Sequence, residues 1–337
     1  MSFRELALKA AYRASEVLEE SGAMNRLHQG YTRIDPFLIA ASHGVLVMLK
    51  PLDKLLGAFI GDDSPGILLN NQRSAGLMHM TCAHELGHYC MEHGSNADKS
   101  IFYDRSAAEI EQEADQFGFN LLIPRDLISL VMKRKKWTRQ CLLQPLVMYQ
   151  LSLRLGVSYE AVAWSLVRYK VFTPFDIQRL LRTKPVDIKK SILGKDPADS
   201  RKEVWLLDDF DKDAILEPRA DDQIVVRLKS NASAGYLWRA EKTVDVEGEG
   251  FQLQPITVPS HSLGETLRFG GPDTMDYALV GNVTPSTSPV PLELSERMPW
   301  LEEGEVLGKF RSATQFEDLE TGLTAYSKKQ YLEDAES

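Results

Sequence analysis

The sequence predicts a multidomain α+β protein, mainly helical in its first half and all-β in its last third. Three observations carry this expectation. Apolar residues recur at helical spacing through most of residues 4–193. After residue 221 the texture changes to short alternating segments separated by Gly, Pro, Ser and Asn, the pattern of a small antiparallel sandwich or barrel. A chain of 337 residues is too long for one compact core and suits two or three domains.

In chain order, residues 4–20 place Leu6, Ala7, Ala10, Ala11, Ala14 and Leu18 at helical spacing. Asp35-Pro36 and the run FLIAASHGVLVML read as a short helix, a break at Gly44 and a strand. Gly66-Ile67-Leu68-Leu69-Asn70 reads as a second strand. A helix follows from about Ala75 to Glu92, with Gly94 placed to stop it. Residues 100–122 give another helix, ended by Pro124. From Asp126 to about Leu193 the pattern is helical, and LSLRLGVSYEAVAWSLVRY reads helix, tight turn, helix. Gly156 suits the turn, Ser158 the N-cap, and Glu160 the first turn, where a negative charge suits the helix dipole. Residues 194–219 are charged and irregular and read as a linker. Then come the alternating segments QIVVRLK, YLWRAEKTV, FQLQPITV, TLRFG, YALVGNV, VPLELS and EVLGKFR. The expected domains are 1–125, a helix-turn-helix-like segment 126–193, a linker 194–220 and an all-β domain 221–337.

Composition is ordinary for a globular protein, 43% hydrophobic and 26% charged. A net charge of −9 excludes nucleic-acid binding through bulk charge, though not through a local basic patch. Three cysteines, Cys82, Cys90 and Cys141, make no disulfide framework and point to a reducing compartment. The first twenty residues lack the apolar core of a signal peptide, and no apolar run suffices to span a bilayer. The expected location is the cytoplasm, with no membrane partner.

The sharpest chemical signal is His84-Glu85-Leu86-Gly87-His88. Residues four apart on a helix share a face, so both imidazoles can reach one ion. Zinc accepts two imidazole nitrogens and a third protein ligand and leaves a fourth position for water. Glu85 is offset from His84 by about 100°, near enough to act as general base toward that water. The expectation is one Zn2+ per chain. Cys82 and Cys90 fall on other faces and are not expected as ligands, and His93, past the helix end, reads as a helix-end cation.

The third ligand comes from Glu109, Glu111, Glu113 or Asp115. Ala107, Ile110, Ala114, Phe117 and Leu121 form the apolar stripe of that helix. Glu111 and Asp115 lie to one side of it, interleaved with Gly118 and Leu122; Glu113 lies on the other with Glu109 and Asn120. A carboxylate among small and apolar residues is the better internal ligand, which selects Glu111. Asp115, four residues on, can accept a hydrogen bond from a ligand imidazole. Glu109 and Glu113 are assigned to a solvated face.

The run HMTCAHELGHYCMEH followed by EIEQEADQFGFNLLIP resembles the ImmA/IrrE metallopeptidase family, whose members show an FTLAHELGH-like helix and an E-x-E-A-(N/D)-x-F-A-like helix ending in Leu-(Met/Ile)-Pro. The resemblance covers roughly residues 5–170. It implies a gluzincin-like, mainly helical metallopeptidase domain with Glu111 at the ligand position. It also implies a protein substrate, a transcriptional regulator of the helix-turn-helix repressor type, cut at one site. Met80 and Cys82 stand where Phe and Leu are common, and Gly118-Phe119 where two alanines are usual; neither change is expected to touch a ligand.

The stretch LGVSYEAVAWSL and the basic run Lys133 to Lys136 allow DNA contact, but a packing module with a solvated basic face is the favoured reading. In the last third, Asn231-Ala232-Ser233-Ala234-Gly235-Tyr236-Leu237-Trp238, Phe269-Gly270-Gly271 and Arg297-Met298-Pro299-Trp300 together resemble the three binding loops of chagasin-like protease inhibitors. That resemblance covers roughly residues 220–310 and implies an immunoglobulin-like sandwich with its loops gathered at one end. The first loop has Ala-Ser-Ala in place of Pro-Thr-Thr, and Met298 is inserted before Pro299. The bland alternative makes Trp238 and Trp300 core residues and the glycines turn formers. The combined expectation is a zinc endopeptidase whose β-domain binds a partner, a substrate or its own catalytic domain. The alternatives are a non-catalytic zinc-containing binding protein and a cysteine-protease inhibitor acting through the C-terminal loops.

Overall fold

The computed structural model describes residues 2–61, 64–93, 96–98, 109–241, 252–256, 274–280, 284–300 and 306–336. The chain forms two compact units, one from residues 1–132, 151–179 and 318–337, the other from residues 133–150 and 180–317.

In the first unit, α1 (Phe3–Glu20) opens with a capping box between Ser2 and Glu5 and buries Leu6, Ala10, Ala14, Val17 and Leu18. After α2 (Ala23–His28), α3 (Pro36–Ser42) starts where Asp35 accepts hydrogen bonds from the Phe37 and Leu38 amides, with Pro36 in the first turn. Gly44, at φ 73°, makes the expected break before β1 (Leu46–Lys50). Two further strands, β2 (Gly57–Ile60) and β3 (Gly66–Asn70), lead to α4 (Ala75–Cys90). Every residue of α4 from Met78 to His88 is buried, so this helix has no solvent face over that stretch. A short β4 (Asn96–Asp98) precedes α5 (Glu109–Leu122). The start expected for this helix near residue 100, and the stop expected at Gly94, lie outside the described residues.

The helical stretch resolves into α6 (Arg125–Lys135), α7 (Pro145–Leu155), α8 (Tyr159–Arg168), α9 (Pro174–Leu180) and α10 (Pro185–Leu193). Between α7 and α8 the turn forms as expected, with Gly156 at φ 67° and Ser158 Oγ accepting from the Ala161 amide. This turn packs on the start of α4: a Cβ on Gly76 would lie 2.6 Å from the Val157 carbonyl carbon. None of the described helices is long and apolar enough to cross a membrane.

The stretch expected as a linker is not one. It holds β5 (Val204–Leu207), buried at every residue, and β6 (Ile215–Leu216). A continuous apolar run from Val204 to Leu207, not the charged flanks, decides the matter for β5. The strands β7 (Gln223–Lys229), β8 (Leu237–Ala240), β9 (Gln252–Ile256), β10 (Thr274–Val280), β11 (Val290–Arg297) and β12 (Gly308–Thr314) fall within or across the alternating segments; TLRFG lies outside the described residues. They form two four-stranded sheets, in the orders β5-β7-β10-β9 and β6-β12-β11-β8. Each sheet has one parallel pair, β5 with β7 and β6 with β12, and is otherwise antiparallel. The second edge of β5 is closed by side chains of α7: Tyr149 Oη accepts from the Val204 amide at 2.9 Å, and Gln150 bonds both the Val204 carbonyl and the Leu206 amide at 2.8 Å.

The basic run is no uniform solvated face. Lys135 is buried and donates to Asp208 Oδ1 at 2.6 Å and Asp211 Oδ2 at 2.7 Å.

The last residues depart from the expected all-β domain. β13 (Gly322–Leu323) pairs antiparallel with β1, and α11 (Ala325–Glu336) packs on α3 and β1, so residues 318–337 belong to the first unit. The sheet of that unit runs β13-β1-β3-β2-β4, with β1 and β3 parallel. Thr324 donates its amide to the Val47 carbonyl, and Ser327 Oγ accepts from the Val47 amide at 2.8 Å.

Candidate metal centre

Two glycines let α4 and α5 approach closely. A Cβ on Gly87 would lie 2.9 Å from Ala114 Cα, and one on Gly118 would lie 3.2 Å from the His84 amide nitrogen. Gly118, where the departure from alanine is not expected to touch a ligand, therefore packs against the backbone of one of them.

At this crossing His84 Nε2 and His88 Nε2 are 3.1 Å apart, and Glu111 Oε2 lies 3.4 Å from the first and 3.7 Å from the second. These three side chains form the group that could hold a metal ion among the described residues. The edge of a tetrahedron with bonds of about 2.0–2.1 Å is about 3.4 Å, so the three separations straddle the value that a zinc ion requires. A donor set of two nitrogens and one carboxylate oxygen also matches the ion, leaving a fourth direction open.

Neighbouring groups orient these donors. His84 Nδ1 bonds Asp115 Oδ1 at 2.9 Å, which leaves Nε2 to face the cluster. Burial raises the Asp115 carboxyl above its ordinary range, against the opposing effect of His84. The neighbouring imidazoles of His84 and then His88 hold the Glu111 carboxyl well below the usual carboxylate range. Glu85 is fully buried, one residue beyond His84, with β2 against it: a Cβ on Gly57 would sit 3.0 Å from Glu85 Oε1 and 2.6 Å from Thr81 Cγ2. The sequence reading missed Gly57; a glycine next to a strand-like run was its signal. One turn before the motif, His79 ties α4 to the α7–α8 turn, with Nδ1 2.6 Å from the Gly156 carbonyl and Nε2 3.3 Å from Arg33 Nη1.

Two residues differ from expectation. Glu113, placed on a solvated face, is buried and bonded by Lys9 Nζ at 3.1 Å and by His93 Nε2 at 2.8 Å. His93, read as a helix-end cation, has its pKa lowered by burial, which favours the neutral ring, and its Nδ1 lies 3.1 Å from His88 Nδ1. The faces were misjudged because α5 packs against α1 as well as α4. Glu109 is exposed, and Cys82 is buried away from the cluster, as expected.

In the second unit, Asn231 is fixed by Glu296, which accepts from its amide at 2.7 Å and from Nδ2 at 2.8 Å. Gly235, at φ 87°, lies under the Trp300 ring, where a Cβ would meet Cη2 at 2.6 Å. Trp300 is 66% exposed, with Tyr236 and Pro299 half-buried. Trp238, expected in a binding loop, is a core residue: it is buried and donates Nε1–H to the Lys229 carbonyl at 2.8 Å. Arg297 pairs with Glu241 at 2.6 Å. Gly270 and Gly271 lie outside the described residues.

Two imidazoles from α4 and a carboxylate from α5 thus form a group that could hold a metal ion. Residues 40–166 match the Peptidase_M78 family model, the IrrE N-terminal-like domain. Among solved structures, the cysteine protease inhibitor EhICP2 from Entamoeba histolytica is similar at 18% identity and a TM-score of 0.25, over 34% of this chain and 96% of that one. Amebosin is similar at 15% identity and a TM-score of 0.24, over 34% of this chain and 98% of that one. No curated protein sequence matches the chain.

Proposed function

We propose that the protein is a gluzincin-like zinc endopeptidase that cuts a protein regulator at one site. The observation that carries this is the buried cluster of His84, His88 and Glu111 with the Glu85 carboxylate on the same helix. His84 Nε2, His88 Nε2 and Glu111 Oε2 would hold the ion, and Asp115 fixes the ring of His84. When bound, zinc supplies Lewis acidity, polarising a carbonyl and making a water acidic near neutral pH. Glu85 takes a proton from water and returns it to the leaving amine nitrogen. Gly57 leaves the room that the carboxylate needs, since a Cβ there would lie 3.0 Å from Oε1, and burial keeps bulk water from competing. A helix-turn-helix regulator is the substrate class that the sequence resemblance implies.

The test is elemental analysis together with cleavage of candidate regulators by the full chain and its Glu85→Gln variant. About one zinc per chain and cleavage lost in the variant would support the reading. Full cleavage by Glu85→Gln would remove its mechanism.

A second reading concerns the β-sheets of the second unit as a chagasin-like, immunoglobulin-like sandwich that docks a protein. The exposed Trp300 ring seated on Gly235 favours it. The occupant is a partner, the substrate or the catalytic unit of the same chain; a papain-like protease is the inhibitor alternative. If full-length protein and its Trp300→Ala variant both leave a papain-like enzyme uninhibited at micromolar concentration, the inhibitor alternative fails.

A further inference from the structure

We propose that His93 is a positioning residue for His88, and that Glu113 and Lys9 complete a hydrogen-bond relay that fixes which nitrogen His88 turns toward the metal centre. The inference rests on the metallopeptidase reading of His84, His88 and Glu111.

The relay begins in the way α4 ends. The Glu92 amide donates to the Tyr89 carbonyl at 3.2 Å and the His93 amide to the His88 carbonyl at 2.9 Å, the two bonds of a Schellman motif. Glu92 occupies the left-handed position, at φ 60°, where glycine is the usual residue. This turn folds the chain back so that the rings of His93 and His88 meet edge to face, with centroids 5.2 Å apart.

For a neutral His93 ring, the polarity of these contacts gives the following arrangement. Lys9 Nζ can only donate, and the Glu113 carboxylate only accepts. Glu113 takes bonds from Lys9 at 3.1 Å and from His93 Nε2 at 2.8 Å, so His93 carries its hydrogen on Nε2. In the neutral ring His93 Nδ1 is then a bare acceptor. It lies 3.1 Å from His88 Nδ1, which must donate. His88 is left with a lone pair on Nε2, the atom 3.1 Å from His84 Nε2 and 3.7 Å from Glu111 Oε2. His84 reaches the same state in one step, through Asp115. Both imidazoles are thereby set for a metal before one arrives, and the outer end of the second relay is an ammonium group on α1. A metal site whose rings are already in the required tautomer binds without rearranging them.

The test uses the full chain. In the metal-free wild-type protein, long-range 1H–15N NMR under mildly alkaline conditions is expected to show His88 as the Nδ1–H tautomer and His93 as the Nε2–H tautomer. His88 found as the Nε2–H tautomer would overturn the relay, and this readout needs no variant to fold. Zinc affinity, read by chelator competition, is expected to fall about 10–100-fold in His93→Phe. His93→Gln, whose amide can accept from His88 and donate to Glu113, is expected to recover most of it. Glu92→Gly, which keeps the turn, is expected to leave affinity unchanged. A folded His93→Phe with wild-type zinc affinity would overturn the proposal while leaving the metal centre standing. A wild-type chain that binds no zinc would overturn the metal centre itself, and with it the role assigned to the relay.

Discussion

Gly57 on β2 stands directly against Glu85 on α4, so close that a methyl group at position 57 would lie 3.0 Å from Glu85 Oε1 and 2.6 Å from Thr81 Cγ2. The Leu68 carbonyl oxygen would lie 3.1 Å from the same methyl group. Gly57→Ala is therefore expected to cost about 1–3 kcal/mol of stability through overpacking. It is also expected to lower cleavage by displacing Glu85, with bound zinc unchanged. Urea unfolding, zinc content and a cleavage assay measure the three effects, and wild-type activity would show that Gly57 does not position Glu85.

Glu85→Gln keeps the shape of the side chain and removes the base. Cleavage is expected to fall by about 10²–10⁴-fold. Zinc content should stay at the wild-type level, because Glu85 is not among the three side chains of the cluster.

Removing the ion, or a group that holds it, should separate the inner donors from their supports. His88→Ala and Glu111→Ala are expected to abolish stoichiometric zinc. Asp115→Ala is expected to keep zinc but bind it about 10–100-fold more weakly. Chelation of the wild type should lower its melting temperature, since free zinc at 100 times Kd stabilises the folded state by about 2.7 kcal/mol. Zinc retained at full occupancy in Glu111→Ala would assign the third ligand elsewhere.

The C-terminal residues matter to the first unit through one buried contact. Ser327 is fully buried, and its hydroxyl accepts from the Val47 amide at 2.8 Å. Ser327→Ala leaves that amide without its acceptor and is expected to cost about 1–3 kcal/mol, read from denaturant midpoints. The same contact means that a chain cut near Ser200 loses part of the metallopeptidase unit. Such a truncation does not isolate the influence of the β-sheets on activity.

The three cysteines should differ in reactivity. Burial raises the Cys82 thiol well above its ordinary value and pushes Cys90 up to about 12. Hydrogen bonds with Thr138 lower Cys141, which is half-buried. Iodoacetamide at neutral pH is expected to modify Cys141 first, and mass spectrometry of the native protein locates the label. Equal labelling of Cys82 would show that α4 opens readily.

What the sequence determined by itself is local. The four-residue spacing of His84 and His88 put both rings on one helical face, and the position of Glu111 and Asp115 beside one apolar stripe set them toward the same centre. Ser158 capped its helix, and QIVVRLK became a strand with the expected bounds. Each follows from the period of a single element. Tertiary structure decided what depends on a second partner. It buried Glu113, because α5 has α1 on one side and α4 on the other. The Schellman turn at Glu92 folded His93 back over His88, and β2 came against Glu85 at a position where only glycine fits. The charged stretch before residue 220 yielded strands because β7 and β12 offered edges to pair with. Residues 318–337 joined β1 rather than the sheets that precede them. Helical period and strand alternation are written in neighbouring residues, whereas the choice of neighbour is made by contacts between residues far apart in the chain.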